Sequence, residues 1–133
     1  MTDIGEGAFE SCIALTNVKI PSTVLNIKKL TFYNCTNLES IELPVNINSI
    51  GNNAFTKCAL ENVEINNGTI SSVAFSENSH LKTVKIGSGV TSIANDTFIS
   101  CPNLQTITLG KDSTLTAPSN NWGATNATVT QEQ

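Results

Sequence analysis

Apolar and polar positions along the chain fall into one frame that repeats five times. Phe9, Phe32, Phe55, Phe75 and Phe98 are all the phenylalanines present, stepping by 23, 23, 20 and 23 residues. An isoleucine lies five residues before each: Ile4, Ile27, Ile50, Ile70 and Ile93. Cys12, Cys35, Cys58 and Cys101 each follow a phenylalanine by three, and Leu15, Leu38, Leu81 and Leu104 by six, with Leu60 one place early. A Phe-x-x-Cys-x-x-Leu spacing of three predicts a 3₁₀ or short α-helical turn with one face inward. The alternation that follows predicts a short strand: Val18 and Ile20, Ile41 and Leu43, Val63 and Ile65, Val84 and Ile86, Ile107 and Leu109. Pro21, Pro44, Gly87 and Gly110 are expected to end those strands, because proline cannot donate to a continuing ladder. A second apolar pair closes each full unit: Val24 with Ile27, Ile47 with Ile50, Val90 with Ile93.

Five such units occupy residues 1–110, beginning at Ile4, Ile27, Ile50, Ile70 and Ile93. A recurring unit of this length with Leu, Ile and Phe at fixed offsets is the sign of a stacked solenoid, in which each coil buries its apolar face only against its neighbours. The fold class read from the chain is an α/β solenoid, with one parallel sheet formed by the alternating segments. The third coil is short by one residue between Cys58 and Leu60 and by two around Asn66-Asn67-Gly68, which removes the position held by Val24, Ile47 and Val90. Val73 is the expected filler of that volume. After Leu109 the pattern fades into a Thr-, Asn- and Ser-rich stretch. Residues 111–133 read as a degenerate sixth coil or C-terminal cap, with Trp122 in the Phe column and Thr128-Val129 at the Leu place. No such cap is read ahead of the first coil, so either a longer solenoid or some other cover is expected at that end.

The unit Ile4-Gly5-x-x-Ala8-Phe9-x-x-Cys12-x-x-Leu15-x-x-Val18-x-Ile20-Pro21-Ser22-x-Val24 closely resembles the BspA-type leucine-rich repeat, and five consecutive units over about residues 4 to 110 agree with it. The resemblance implies a right-handed leucine-rich-repeat coil, the parallel sheet on its concave side and short 3₁₀ or helical turns on the other. It further implies a surface-exposed or secreted protein used in adhesion, without a catalytic motif to carry over. A binding role is implied only as a class, since fold does not fix function.

Charge narrows the partners. Seven basic and eleven acidic residues give a net charge of −4, and the lysines form no cluster of the kind nucleic acid requires. No apolar run approaches the ~18 residues of a membrane helix, so no membrane insertion is expected. The opening Met1-Thr-Asp-Ile has neither the basic region nor the apolar stretch of a signal peptide.

The cysteines, 23, 23 and 43 residues apart, lack the close pairs of a zinc site. Stacked cysteines have parallel rather than converging Cβ vectors, which favours a ladder of buried reduced thiols over disulfides. Asn78 stands in the cysteine column of the fourth coil and needs partners for its amide. His80, the one histidine, reads as a surface residue with no nucleophile in reach. No catalytic residue, metal or cofactor is assigned.

Outward strand positions supply the candidate binding residues. One column is Asn17, Ser40, Asn62, Thr83 and Thr106; the other is Lys19, Glu42, Glu64, Lys85 and Thr108. With Glu39 and Glu61 they make a strip with an acidic centre, flanked by Lys19, Lys82 and Lys85, suited to a basic protein surface. The competing reading is a solvated face with cross-strand ion pairs of ~0.2–1 kcal/mol each. Four sequons, at Asn34, Asn67, Asn95 and Asn126, are possible glycosylation sites, with Asn67 expected in an accessible turn. Two roles therefore compete: a recognition or adhesion module for protein or glycan at the cell surface or secreted, and a structural protein that assembles end to end with its own copies.

Overall fold

A computed structural model describes residues 2–133. Its strands are β1 (Asn17–Lys19), β2 (Asn26–Ile27), β3 (Ser40–Glu42), β4 (Ser49–Ile50), β5 (Asn62–Ile70), β6 (Thr83–Ile93), β7 (Thr106–Leu109) and β8 (Thr128–Gln131). All pair in parallel. β1 pairs with β3, and a second sheet runs β2-β4-β5-β6-β7-β8. The chain is a parallel β-solenoid whose successive coils place like residues above one another. Ring centroids of neighbouring phenylalanines lie 5.4, 5.3, 5.1 and 5.9 Å apart from Phe9 to Phe98, all stacked. Phe32, Phe55, Phe75 and Phe98 are buried, as are Leu38, Leu60, Leu81 and Leu104.

The inner coils carry two ladders rather than one. The closing apolar pair forms its own, with Ile27, Ile50, Ile70 and Ile93 in register. In the Pro-bearing coils the two strands are separate and short, because Pro21 and Pro44 lack the donor that would carry the ladder onward. Gly87 does not end its strand as expected. It keeps its N–H, and β6 continues through it for 11 residues.

The turn side is not helical, which corrects the expectation from the spacing of three. Ala8, Glu10 and Cys12 donate three residues back, to Gly5, Gly7 and Phe9, as a 3₁₀ turn would. The alternate N–H groups of Gly7, Phe9 and Ser11 instead donate across to Lys29, Thr31 and Tyr33 of the next coil, at 3.1, 2.9 and 2.7 Å. The second coil repeats this, with Leu30, Phe32 and Asn34 donating to Asn52, Ala54 and Thr56. A continuous helix spends every donor along its own axis; here every second donor binds coil to coil. The alternation goes with positive φ two residues after every phenylalanine and two residues before Phe9, Phe32, Phe55 and Phe75. Leu30, Asn53 and Val73 (φ 62, 57 and 52) fill one column; Ser11, Asn34, Lys57, Glu77 and Ser100 fill the other. Asn121–Gly123 makes a single tight turn whose backbone leaves helical geometry at Trp122 (φ 55, ψ 32).

Two packing expectations also change. Val73 is half-buried in a turn and does not fill the gap of the third coil. Gly68 does so, in register with Val90. Its backbone moves in with φ +91, so close that a Cβ there would stand 2.4 Å from the Asn48 carbonyl oxygen. At the far end, β8 pairs with β7, setting Thr128 against Thr106 and Val129 against Ile107. Val129 is thus a strand residue, and the inward Leu place goes to buried Ala127, whose N–H bonds the Ala124 carbonyl as that of Leu104 bonds Cys101.

Candidate binding face

Alternation within β1, β3, β5, β6 and β7 turns the branched residues inward, so the residues between them face out as in-register columns. Asn17 lies against Ser40 and Lys19 against Glu42; Asn62, Thr83, Thr106 and Thr128 form one run, and Glu64, Lys85, Thr108 and Thr130 the parallel one. The strip is not continuous. β3 and β5 share no ladder, because the third coil reaches its strand one residue early. The contacts there are Ala59 N–H to the Leu38 carbonyl and Glu61 N–H to Glu39. The face therefore splits into a β1–β3 part and a β5–β8 part. Shallow hollows sit on either side of Glu42. One of about 410 Å³ lies among Asn17, Lys19, Ser40 and Glu42, and one of about 280 Å³ among Ile41, Glu42, Val45 and Glu64. Val45 stands 73% exposed beside the second.

Much of the polar surface is already used between coils. The Ser40 hydroxyl donates to the Asn17 side-chain carbonyl, and Thr83 does the same to Asn62 at 2.5 Å. Lys19 reaches Glu42 at 3.7 Å, with both side chains more than two-thirds exposed, so the pair is worth only about 0–1 kcal/mol. Lys85 is opposite Glu64 in register, yet its amine sits 3.9 Å from Glu132 instead. Among the described residues Glu39, Glu61 and Glu64 make no ion pair, so the acidic centre is unneutralised. Glu132, Thr128 and Thr130 were not anticipated as part of this face. The match of Thr128-Val129-Thr130 to Thr106-Ile107-Thr108 was the available signal.

The sequons separate by use. Asn67 lies inside β5, not in a turn; it is half-buried and donates to the Ile47 carbonyl at 3.3 Å. Asn34 is half-buried and donates to Ser11 at 3.2 Å. Asn95 and Asn126 are the exposed ones.

The cysteines are all free thiols. Cys35, Cys58 and Cys101 donate to the carbonyls of Phe9, Phe32 and Phe75, the phenylalanine one coil earlier, at 3.1–3.2 Å. Asn78 reproduces this bond to Phe55 at 2.8 Å and adds one to Phe75 at 2.9 Å, while its carbonyl accepts from Leu60 N–H. Burial pushes Cys58 up to about 12 and Cys101 up to about 11, and raises Cys35. Such thiols are poor nucleophiles and poor metal ligands. His80 is exposed, beside a hollow shared with Lys57 and Glu77. Among the described residues no three His, Cys, Asp or Glu side chains cluster to hold a metal, and no helix is long and apolar enough to cross a membrane.

The chain is similar to a leucine-rich repeat protein from Bacteroides ovatus ATCC 8483, at 27% identity and TM-score 0.58, over 80% of this chain and 36% of that one. It is also matched to a leucine-rich cell surface protein from Faecalibacterium prausnitzii A2-165, at 15% identity and TM-score 0.36, over 94% of this chain and 62% of that one. The chain thus spans about a third of the first protein's length and under two-thirds of the second's. No curated protein matches it. The pattern of the BspA type Leucine rich repeat region fits residues 2–121 in six copies. With aromatic, thiol and leucine columns in the places that pattern requires, the chain belongs to the BspA-type leucine-rich repeat family.

Proposed function

We propose that this protein is a non-enzymatic recognition or adhesion module, working at the cell surface or secreted, that binds a protein or glycan through its strand face and adjoining turns. The observation that supports this most is the outward face itself. Its columns are polar and in register within the β1–β3 part and within the β5–β8 part, and around the seam between the two Glu39, Glu61 and Glu64 carry carboxylates without ion-pair partners among the described residues. A preorganised surface of this kind saves the ordering cost of binding. The charge pattern favours a protein with a basic patch over nucleic acid, and the family resemblance favours an extracellular setting. Area limits strength. Six strands ~4.8 Å apart, each showing three or four residues of ~3.3 Å, give on the order of 300 Å², against about 800 Å² per partner in a standard interface. Affinity from this face alone is therefore weak unless further coils, hollow edges or avidity add to it.

The test is a screen of immobilised extracellular proteins and a glycan array, followed by the double variant Glu42→Lys, Glu64→Lys on any hit. Both side chains are exposed, so the variant should fold as the parent does. Expected is at least a tenfold loss of binding with the fold retained by circular dichroism and only a small drop in melting temperature, since each introduced lysine faces Lys19 or Lys85 across its ladder. Binding that is indifferent to both substitutions, and to salt, removes the strand face as the site.

A further inference from the structure

One donor recurs along the turn side. Two residues after each of the first four phenylalanines, Ser11, Asn34, Lys57 and Glu77 donate their N–H groups to Tyr33, Thr56, Ser76 and Ile99 of the next coil, at 2.7–3.1 Å. Ser100 holds the same place with the same backbone, at φ 60, yet its N–H has no acceptor among the described residues. The cause lies in the coil it faces. Thr31, whose carbonyl accepts from Phe9, stands seven residues before Leu38; its counterpart Trp122, which accepts from Phe98, stands five before Ala127. The turn is two residues short, and the carbonyl that would meet Ser100 is missing. The next one, that of Ala124, already accepts from Ala127.

Space opens where that carbonyl is lost. Gly123 brings the shortened turn against Ile99, so close that a Cβ would stand 2.7 Å from the Ile99 nitrogen. Beside it a hollow of about 210 Å³ lies between Ser100, Cys101 and Pro102 on one coil and Gly123, Thr125 and Asn126 on the next. No carboxylate lines it, although the chain is acidic overall. Thr125 has a second N–H without a partner, and the Ser100 and Thr125 hydroxyls and the Asn126 amide bond to nothing else among the described residues. Cys101 is not available, because its thiol donates to the Phe75 carbonyl.

Donors without acceptors call for a ligand rich in acceptor oxygens. In place of one peptide carbonyl, a carboxylate offers two oxygens, and an N–H bond to an ionised acceptor is stronger than one to a neutral carbonyl. The hydroxyls and amide around it match the hydroxyls of a sugar ring better than an apolar side chain. We infer that this hollow is a subsite for a uronic acid residue of an acidic glycan, its carboxylate held by the Ser100 and Thr125 N–H groups. None of these residues belongs to the strand face, so the subsite stands or falls apart from that reading. With no lysine in the lining and a net charge of −4, its affinity for a single sugar is low.

Two measurements by nuclear magnetic resonance on the full, unglycosylated chain test this. In the free protein the Ser100 amide should exchange at least about tenfold faster than those of Asn34, Lys57 and Glu77, which are bonded. Equal protection shows that the Ser100 donor is already used and overturns the inference. Titration with glucuronate at constant ionic strength should then shift the Ser100 and Thr125 amide resonances along a saturating curve, while glucose leaves them in place and acetate binds more weakly. Thr125 is exposed, so Thr125→Glu should fold as the parent does and weaken glucuronate about tenfold or more by like-charge repulsion. Thr125→Gln keeps the backbone donor and should retain the saturating shift. Shifts that never saturate, or a Thr125→Glu variant that binds as the parent does, overturn the subsite. Equal binding of glucose overturns the carboxylate assignment, and equal binding of acetate overturns the sugar.

Discussion

Phe55→Ala tests whether the stack behaves as one coupled column. The ring is buried and lies 5.3 Å from Phe32 and 5.1 Å from Phe75, so its removal opens a cavity between two coils and loses two stacking neighbours. Phe→Ala in cores costs about 3–5 kcal/mol, and two ring contacts, at ~0.5–1.5 kcal/mol each, place this site at the upper end. Phe9 has one ring neighbour and is half-buried, so Phe9→Ala should cost about half as much or less. Against a total stability of about 5–15 kcal/mol, the Phe55 variant stands close to unfolding. Urea titration followed by circular dichroism and by fluorescence of Trp122, the one tryptophan, provides the assay. Trp122 sits at the far end of the stack, so coincident transitions show that damage in the third coil propagates through nearest-neighbour coupling. Equal costs for Phe55→Ala and Phe9→Ala would refute the column argument. So would a Trp122 transition that stays at its parental midpoint while the dichroism shifts.

Asn78→Leu should cost about 2–4 kcal/mol, since it strands the Phe55 and Phe75 carbonyls and the Leu60 N–H in a dry interior; Asn78→Cys, which restores the thiol bond of the other coils, should recover much of that in a denaturant titration. Gly68→Ala combines positive φ with a Cβ 2.4 Å from the Asn48 oxygen, and should lower the melting temperature sharply, whereas Gly5→Ala meets nothing within 4 Å and should leave it nearly unchanged. The thiols make stability fall at alkaline pH. Cys58 and Cys101 are raised from 9.0 to about 12 and about 11, so the unfolded chain ionises first. Their stabilising contribution is full below pH 9 and lost as pH rises from there toward the folded values, a fall that chemical denaturation along a pH series should show and that Cys58→Ala should reduce.

Much of the fold was legible because the solenoid is quasi-one-dimensional. Each inward residue meets its own counterpart one coil away, so period alone places Phe32 on Phe55 and Leu38 near Leu60. The face was legible for the same reason, as alternation assigns Asn62, Glu64, Thr83 and Lys85 to the outside. Local spacing failed where the competing bond ran between coils. Phe-x-x-Cys-x-x-Leu has the period of a 3₁₀ turn, yet half of its donors are drawn across to the next coil. Asn67 reads as a turn residue from Asn-Asn-Gly, but β6 captures it into a ladder. The partner of Lys85 lies 47 positions on, at Glu132, in a segment whose repeat pattern had faded.

The sequence by itself determined most of the inward columns and which family the coils make, because a repeated unit must satisfy the same burial in every copy. Only the tertiary structure decided where hydrogen bonds cross from coil to coil and where the sheet breaks between β3 and β5. Those depend on relative displacements of whole coils, to which a single residue lost between Cys58 and Leu60 contributes as much as any side chain's chemistry.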